Sequence, residues 1–272
     1  MQVLLLRLMR ARVIDLAQPC FPGMPHWPTH PPFAMAMTKL HGDAVLEGGA
    51  SSSAEFIALG THVGTHIDAL CHFSRDGILH GGAEAAGVQS ETAGIAVHSV
   101  DQIAPMIRKG VLLDVAGLFG DQPLEAGFEI LPGHLEDAEL DGGVIIGPGD
   151  VVLIRTGWGR YWREPRKFIN GMVLPGVGLA GARWLTERGI AAAGSDTVAF
   201  ERLPSPRMEV HVHLLVESGV HIIENLMLET LAEELCDEPA NEFAFFAAPL
   251  KIEGATGSPL RPVALLMGED DE

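Results

Sequence analysis

The chain contains a histidine-rich stretch, GTHVGTHIDALCHF, at residues 60–73. Three of the twelve histidines of the chain and one aspartate fall in this stretch, namely His62, His66, Asp68 and His72. With period two they share one face, whereas the apolar and β-branched residues between them share the other. This alternation predicts a half-buried strand with polar side chains on one face. Two glycines and several β-branched residues argue against a helix.

These four polar side chains suit a divalent cation. Neutral imidazole and carboxylate groups bind zinc, manganese or iron, and three protein ligands leave a position for water. Such a cation lowers the pKa of bound water from 15.7 to about 7. His72 lies further along the same face and could transfer the proton. One histidine alone would indicate a core residue, but three with an aspartate indicate a site, which either catalyses or only binds metal.

Composition limits the class of protein. The 272 residues are 47% hydrophobic and 20% charged, which predicts one large globular domain. The 36 acidic and 18 basic residues give a formal charge of −18. Because nucleic acids and anionic lipids are bound largely through Lys and Arg, we expect neither a nucleic-acid partner nor a membrane partner.

The cysteines and the absence of long apolar runs favour a cytoplasmic protein. Cys20, Cys71 and Cys236 are odd in number and form no CxxC pair, which is typical of a reducing compartment. No run is apolar for about 18 residues, the length that spans a membrane. The N-terminal apolar run is interrupted by arginines, which predicts an extension at residues 1–12 rather than a targeting signal. We expect the domain at 13–267 and an acidic tail at 268–272.

Apolar patterning predicts more strands than helices. Expected strands are 111–115, 144–146, 151–155, 190–193 and 221–223, and expected helices are 101–108, 179–188 and 210–218. They do not alternate one for one, which favours a mixed sheet in an α/β or α+β domain. Residues 19–32 are proline-rich and predict a stiff loop that carries Trp27.

The segment 62–72, HVGTHIDALCH, resembles the His-x-Gly-Thr-His-x-Asp-x-Pro-x-His signature of the metal-dependent cyclase-like hydrolases. That family includes bacterial kynurenine formamidase and isatin hydrolase. The resemblance implies that His62, His66 and Asp68 bind metal and that His72 shuttles a proton. Leu70 stands where the pattern has proline, which affects the loop and the subfamily but removes no ligand.

Later segments extend the resemblance over most of the chain. They are GDVVLIRTGWGRYW at 149–162, GSDTVAFE at 194–201, HVHLLVESGVHIIENL at 211–226 and LKIEGATGSPLRPVAL at 250–265. The resemblance implies an α/β fold, a single compact swivelling β/β/α domain with a mixed sheet, assembled as a homodimer or homotetramer. It also implies that His211 and Glu224 bind a second metal bridged by Asp68, with His213 as a less favoured alternative to His211.

The expected function is therefore a metal-dependent amidohydrolase. It would use one or two Mn²⁺ or Zn²⁺ ions and metal-activated water to open a cyclic amide or imide such as isatin. Hydrolysis of N-formylkynurenine, an arylformamide, is the alternative reaction, and a non-catalytic protein that binds metal or a small ligand is the alternative class. We expect Trp27 and Trp158 to contact an aromatic substrate.

Overall fold

The computed structural model describes residues 2–267, with side chains from residue 5 onward. The predicted acidic tail at 268–272 lies outside the described residues. The strands are β1 (Arg12–Asp15), β2 (Ala34–Lys39), β3 (Ala54–Ala58), β4 (His66–Asp68), β5 (Gln89–Ser90), β6 (Gly94–Ile95), β7 (Met106–Asp114), β8 (Glu129–Ile130), β9 (Val151–Arg155), β10 (Gly176–Val177), β11 (Ala192–Ser195), β12 (His221–Glu224), β13 (Glu242–Ala247), β14 (Gly257–Pro259) and β15 (Val263–Leu266). The α-helices are α1 (Gln2–Arg10), α2 (Ala85–Val88), α3 (Val115–Leu118), α4 (Pro132–Asp141), α5 (Pro165–Ile169), α6 (Leu179–Glu187), α7 (Glu209–His211) and α8 (Glu229–Leu235).

Nine strands form one mixed sheet, in the order β1-β15-β13-β7-β9-β11-β12-β4-β14. The four central strands β7, β9, β11 and β12 are parallel, whereas the flanking pairs are antiparallel. The prediction of an α/β domain with a mixed sheet is confirmed.

The central strands bury both faces of the sheet. Along β7 and β9, Leu112 and Leu153 point into one apolar cluster, and Val111 and Val152 point into the other. The first cluster includes Leu231 from α8, while residues of α4 and α6 pack into the second. A sheet buried on both faces reads as a continuous apolar run, which is why 151–155 and 111–115 were recognisable as strands.

Most predicted elements are confirmed, with shifted ends. β7, β9, β11 and β12 overlap the expected strands, and α6 matches the helix expected at 179–188. The helix expected at 210–218 starts in α7 and continues as a π-helical turn, Val212–Ser218, which ends at Gly219 with φ of +68°. Within the expected N-terminal extension, Gln2–Arg10 form α1, and Arg12 already belongs to β1.

Two predicted elements are wrong. The helix expected at 101–108 is a 3₁₀ turn at Val100–Gln102 followed by the start of β7. That part of β7 is exposed at Ile107 and owes its conformation to pairing with β13, a long-range contact. The strand expected at 144–146 has the alternating burial of a strand but pairs with no other strand within the described part of the chain. Its Ile146 N–H instead donates to Glu139 Oε1 at 2.9 Å.

Among residues 2–267, no helix combines the length and the apolar character needed to cross a lipid bilayer. The three cysteines Cys20, Cys71 and Cys236 are free thiols.

A buried arginine ties the carboxyl end of β9 to its surroundings. Arg155, 2% exposed, donates twice to Asp114 at 2.8 and 2.9 Å and twice to Glu229 at 3.1 and 2.7 Å. Asp121, on the outer side, accepts a further bond at 2.5 Å. Arg160 also pairs with Glu229 and Asp121, so among the described ion pairs it is the largely buried Asp114 that loses its cationic partner when Arg155 is removed.

We expect Arg155→Met to lower the free energy of unfolding by about 3 kcal/mol, as for other buried pairs that lose one partner. Urea denaturation of the purified variant measures this loss. Arg12→Met is the matched control, because Arg12 is 54% exposed and its pairs with Glu234 and Glu238 are on the surface. The control should cost less than about 1 kcal/mol. Equal losses in the two variants would contradict the claim that burial makes the ion pairs of Arg155 more important for stability than those of Arg12.

Candidate metal centre

Strand β4 brings ligands from neighbouring strands together. It lies between β12 and β14 in the sheet, and His66 is directly opposite Glu224 of β12. Cross-strand neighbours stand about 4.5–5.5 Å apart at their Cβ atoms, so the two side chains meet over the same face. Asp68 faces Gly257 of β14. A Cβ at position 257 would lie 2.5 Å from Cε1 of His62, so only glycine leaves room for that imidazole.

The strand predicted over the whole histidine stretch is limited to His66–Asp68. His62 precedes it in a turn, where Gly64 has a φ of +75°, which a residue with a side chain adopts at a cost. This turn directs the Gly64 carbonyl at His66, whose Nδ1 donates to it at 2.8 Å. The turn therefore orients a predicted ligand.

His72 returns to the site through a turn that follows β4. Its backbone N–H donates to the Ala69 carbonyl at 2.9 Å. Its ring stacks on that of His62, with centroids 3.8 Å apart and planes inclined by 23°. Nitrogens of His62 and His72 and an oxygen of Asp68 all lie within 4.8 Å of one another. The predicted proton shuttle thus lies beside two of the predicted ligands.

The other predicted ligands surround the same aspartate. Atoms of His66, Asp68 and Glu224 form a second group within 4.8 Å. His211 joins it, with Nε2 at 3.2 Å from Glu224 Oε1 and 3.9 Å from Asp68 Oδ2. His213 points elsewhere and pairs with Glu217 at 2.8 Å. The structure therefore brings together all five residues predicted to bind metal, and it favours His211 over His213.

The centre concentrates buried negative charge. Asp68, Glu201 and Glu224 are 1%, 1% and 5% exposed, and each ion pair that the structure gives them is with a histidine. Buried carboxylates are stable only when they are paired or coordinate a metal. Imidazole nitrogens and carboxylate oxygens, with Asp68 shared between two groups, are the donor set expected for one or two divalent transition-metal ions.

The pKa values reflect burial and these charges. Burial lowers the pKa of His66, but its hydrogen bonds to Asp68 and Glu224 outweigh this effect and raise it to about 10. Burial also lowers the pKa of His211, but its hydrogen bonds to Glu201 and Glu224 outweigh this effect and raise the pKa to about 10. His72 differs, because burial lowers its pKa to about 3 despite the nearby Asp68. Without a cation, protons on His66 and His211 balance the carboxylates, and the His72 imidazole is neutral.

A cavity opens above these residues. Its apolar lining consists of Trp27, Phe73, Val198, Ala199 and Met208, and its polar lining consists of His30, His62, His66, His72, His211 and Glu224. Trp27 is therefore placed where a substrate would lie. The proline-rich loop that carries it has neither helix nor strand from residue 18 to 33, as predicted.

The structure corrects the prediction for Trp158. Trp158 is 5% exposed, belongs to an apolar cluster with Trp162 and Phe168, and donates from Nε1 to the Phe168 carbonyl at 2.8 Å. It does not line the cavity. An aromatic residue in a loop-like segment can pack in the core or face a ligand, and the sequence could not distinguish the two.

Two residues of the site were missed by the sequence analysis. His30 lines the cavity, with its ring 5.5 Å from that of His62. It shares the proline-rich loop with Trp27, so that loop was the available signal. Glu201 accepts from His211 behind the cavity, and a lone glutamate at the end of an apolar segment gives no sequence signal for this contact.

Comparison with known proteins identifies similar chains. The model of the Cyclase family, described as "Putative cyclase", matches residues 14–202. The chain is 26% identical to a kynurenine formamidase of Bacillus cereus, over 92% of this chain and 95% of the relative. A crystal structure described as a novel cyclase superposes with a TM-score of 0.88 at 29% identity, covering 97% and 90% of the two chains. Isatin hydrolase A of Ralstonia solanacearum superposes with a TM-score of 0.75 at 26% identity, covering 97% and 96%.

Proposed function

This chain belongs to the Cyclase family, and from that premise we propose that it is a metal-dependent hydrolase. Its substrate is a small, uncharged cyclic amide or imide, which it opens to a carboxylate. One C–N bond breaks and one C–O bond forms, with water as the second reactant. The similarity to a kynurenine formamidase and to an isatin hydrolase supports C–N bond hydrolysis as the reaction class.

The residues that line the cavity support an uncharged substrate. Among the described residues, the lining contains no lysine or arginine, and its only carboxylate, Glu224, faces two histidines. N-formylkynurenine has an ammonium and a carboxylate group, and each would need a charged or hydrogen-bonding partner once buried. An uncharged cyclic amide needs only hydrogen-bonding partners for its N–H and C=O groups, which the histidines of the lining offer. Trp27 and Phe73 instead offer aromatic faces and edges to a flat substrate.

The side chains have distinct roles in the proposed reaction. His62, His66, Asp68, His211 and Glu224 would hold one or two divalent cations. When bound, such a cation polarises a carbonyl and makes water acidic enough to ionise near neutral pH. His72, on the cavity side of this cluster, takes the proton of the attacking water and returns it to the departing nitrogen. Trp27 holds the ring in place.

N-formylkynurenine hydrolysis is the second candidate. The similarity to kynurenine formamidases over more than nine-tenths of both chains favours it. The deciding experiment is a spectrophotometric assay of the protein, first stripped with chelator and then reloaded with Mn²⁺ or Zn²⁺. The two substrates are isatin and N-formylkynurenine, assayed separately.

We expect metal-dependent turnover of isatin at a kcat/KM at least about tenfold above that for N-formylkynurenine, the equivalent of about 1.4 kcal/mol. A reversed preference would replace the first candidate with the second. Equal turnover before and after chelation, with the metal removed, would contradict a metal-dependent reaction. Metal binding without turnover of either amide would favour a non-catalytic binding protein.

A further inference from the structure

The imidazole of His211 is held from behind by a buried carboxylate. Its Nδ1–H donates to Glu201 Oε2 at 2.5 Å, and its backbone N–H donates to the same oxygen at 2.9 Å. Both side chains are almost fully buried, at 3% and 1% exposed. With Nδ1 as the donor, Nε2 carries the free lone pair in the neutral imidazole, and it faces Glu224 and Asp68.

The segment that carries Glu201 is itself fixed. Val177 of β10 donates to the Phe200 carbonyl and accepts from the Arg202 N–H, each at 3.1 Å. A Cβ at Gly176 would lie 2.5 Å from the backbone carbon of Glu201, so the backbones of β10 and of this segment are in direct contact. The same segment donates the Phe200 N–H to Glu224 Oε1 at 2.9 Å. One short stretch of chain therefore holds both His211 and Glu224.

The second histidine of this ligand group, His66, has a different partner. His66 donates from Nδ1 to a backbone carbonyl, that of Gly64, whereas His211 donates to a carboxylate. A carboxylate fixes the tautomer and also makes the imidazole a stronger base toward a cation, and loss of such a partner typically lowers metal affinity about 10–100-fold. The two histidines thus differ in the charge behind them.

We propose that Glu201 is a positioning residue that sets the affinity of the centre for the ion bound through His211, Asp68 and Glu224. Its carboxylate fixes the His211 ring with Nε2 toward the two acidic ligands and balances part of the charge of the cation. Of the candidate ligands, His211 is the one that the described contacts of Glu201 include, so Glu201 acts on the ion through that histidine. This inference rests on the proposed metal-dependent function.

The test measures Mn²⁺ binding by titration calorimetry and by electron paramagnetic resonance on the full-length protein. Glu201→Gln removes the charge with little change of shape, and Glu201→Asp keeps the charge on a shorter side chain. His211→Ala identifies which ion depends on His211. Glu129→Gln is the matched control, because Glu129 lines a second cavity together with Glu201 and pairs with Arg202, not with a histidine.

We expect Glu201→Gln to weaken the His211-dependent ion about 10–100-fold and to leave any other ion within about twofold. Glu201→Asp should weaken it less, and Glu129→Gln should match the unmodified protein. The double variant His211→Ala/Glu201→Gln should bind no more weakly than His211→Ala alone, because the partner of Glu201 is already gone. A merely structural role would give additive losses.

Three outcomes would overturn the inference. They are unchanged affinity in Glu201→Gln, additive losses in the double variant, and unchanged binding in His211→Ala. In all three the proposed function survives if His66→Ala still abolishes binding and the unmodified protein still hydrolyses an amide. Failure of the unmodified protein to bind Mn²⁺ or Zn²⁺ would overturn both.

Discussion

Asp68→Asn is expected to abolish both metal binding and hydrolysis. The two carboxylate oxygens of Asp68 lie near His62, His66 and His211, and both groups of candidate ligands include this residue. An amide keeps the shape but removes the negative charge that a cation requires. Since the bound cation is what brings the pKa of water from 15.7 to about 7, turnover should fall to the level of the uncatalysed reaction.

Metal analysis of the purified variant and a turnover assay with isatin measure these two losses. Asp196→Asn is the matched control, since Asp196 is also fully buried but accepts from Thr156 and Gly159 rather than from histidines. The control should keep its metal even if its stability falls. Full activity in Asp68→Asn would contradict the proposed centre.

His72→Ala is expected to keep the metal and to lose about two to four orders of magnitude in kcat, the usual contribution of a proton-transfer group. The ring lies on the cavity side of the cluster and stacks on His62, so it is within reach of both a substrate and the ligands. The measurement is a kinetic assay together with the metal content of the same preparation.

His213→Ala is the matched control for this variant. His213 is hydrogen-bonded to Glu217 and Thr186 and does not line the cavity, so turnover should stay within about twofold of that of the unmodified protein, the equivalent of about 0.4 kcal/mol. If His72→Ala instead lost its metal, His72 would be a ligand rather than a shuttle. Near-normal kcat would remove it from the mechanism altogether.

The sequence predicted the parts of the fold that depend on local patterning. Strands β9 and β12 are short apolar runs buried on both faces, and such runs are visible without any knowledge of their partners. The first half of β7 is different, because Ile107, Arg108 and Lys109 are exposed and pairing with β13 holds them extended. Pairing between strands that lie more than 130 residues apart in the sequence produces no local sequence pattern.

The site was predictable to the extent that its ligands are close in sequence. His62, His66, Asp68 and His72 were found together because they occupy one stretch, although only His66–Asp68 is a strand. The turn at Gly64 and the turn before His72 bring the four side chains together, which the predicted continuous strand was expected to do. Glu201 could not be found, because its contact with His211 depends on how β10 holds the segment that carries Glu201, a contact between residues distant in sequence.

The proline-rich loop has a consequence for how such proteins diversify. Trp27 and His30 project from a loop outside the sheet, whereas His66, Asp68 and Glu224 are fixed by the hydrogen-bond ladder of β4 and β12. Substitutions, insertions and deletions in loops disturb a fold far less than changes within a central strand. A lineage with this architecture can therefore acquire new substrates by exchanging one wall of the cavity while its inherited reaction chemistry stays intact. Libraries for directed evolution should randomise residues 26–30 first.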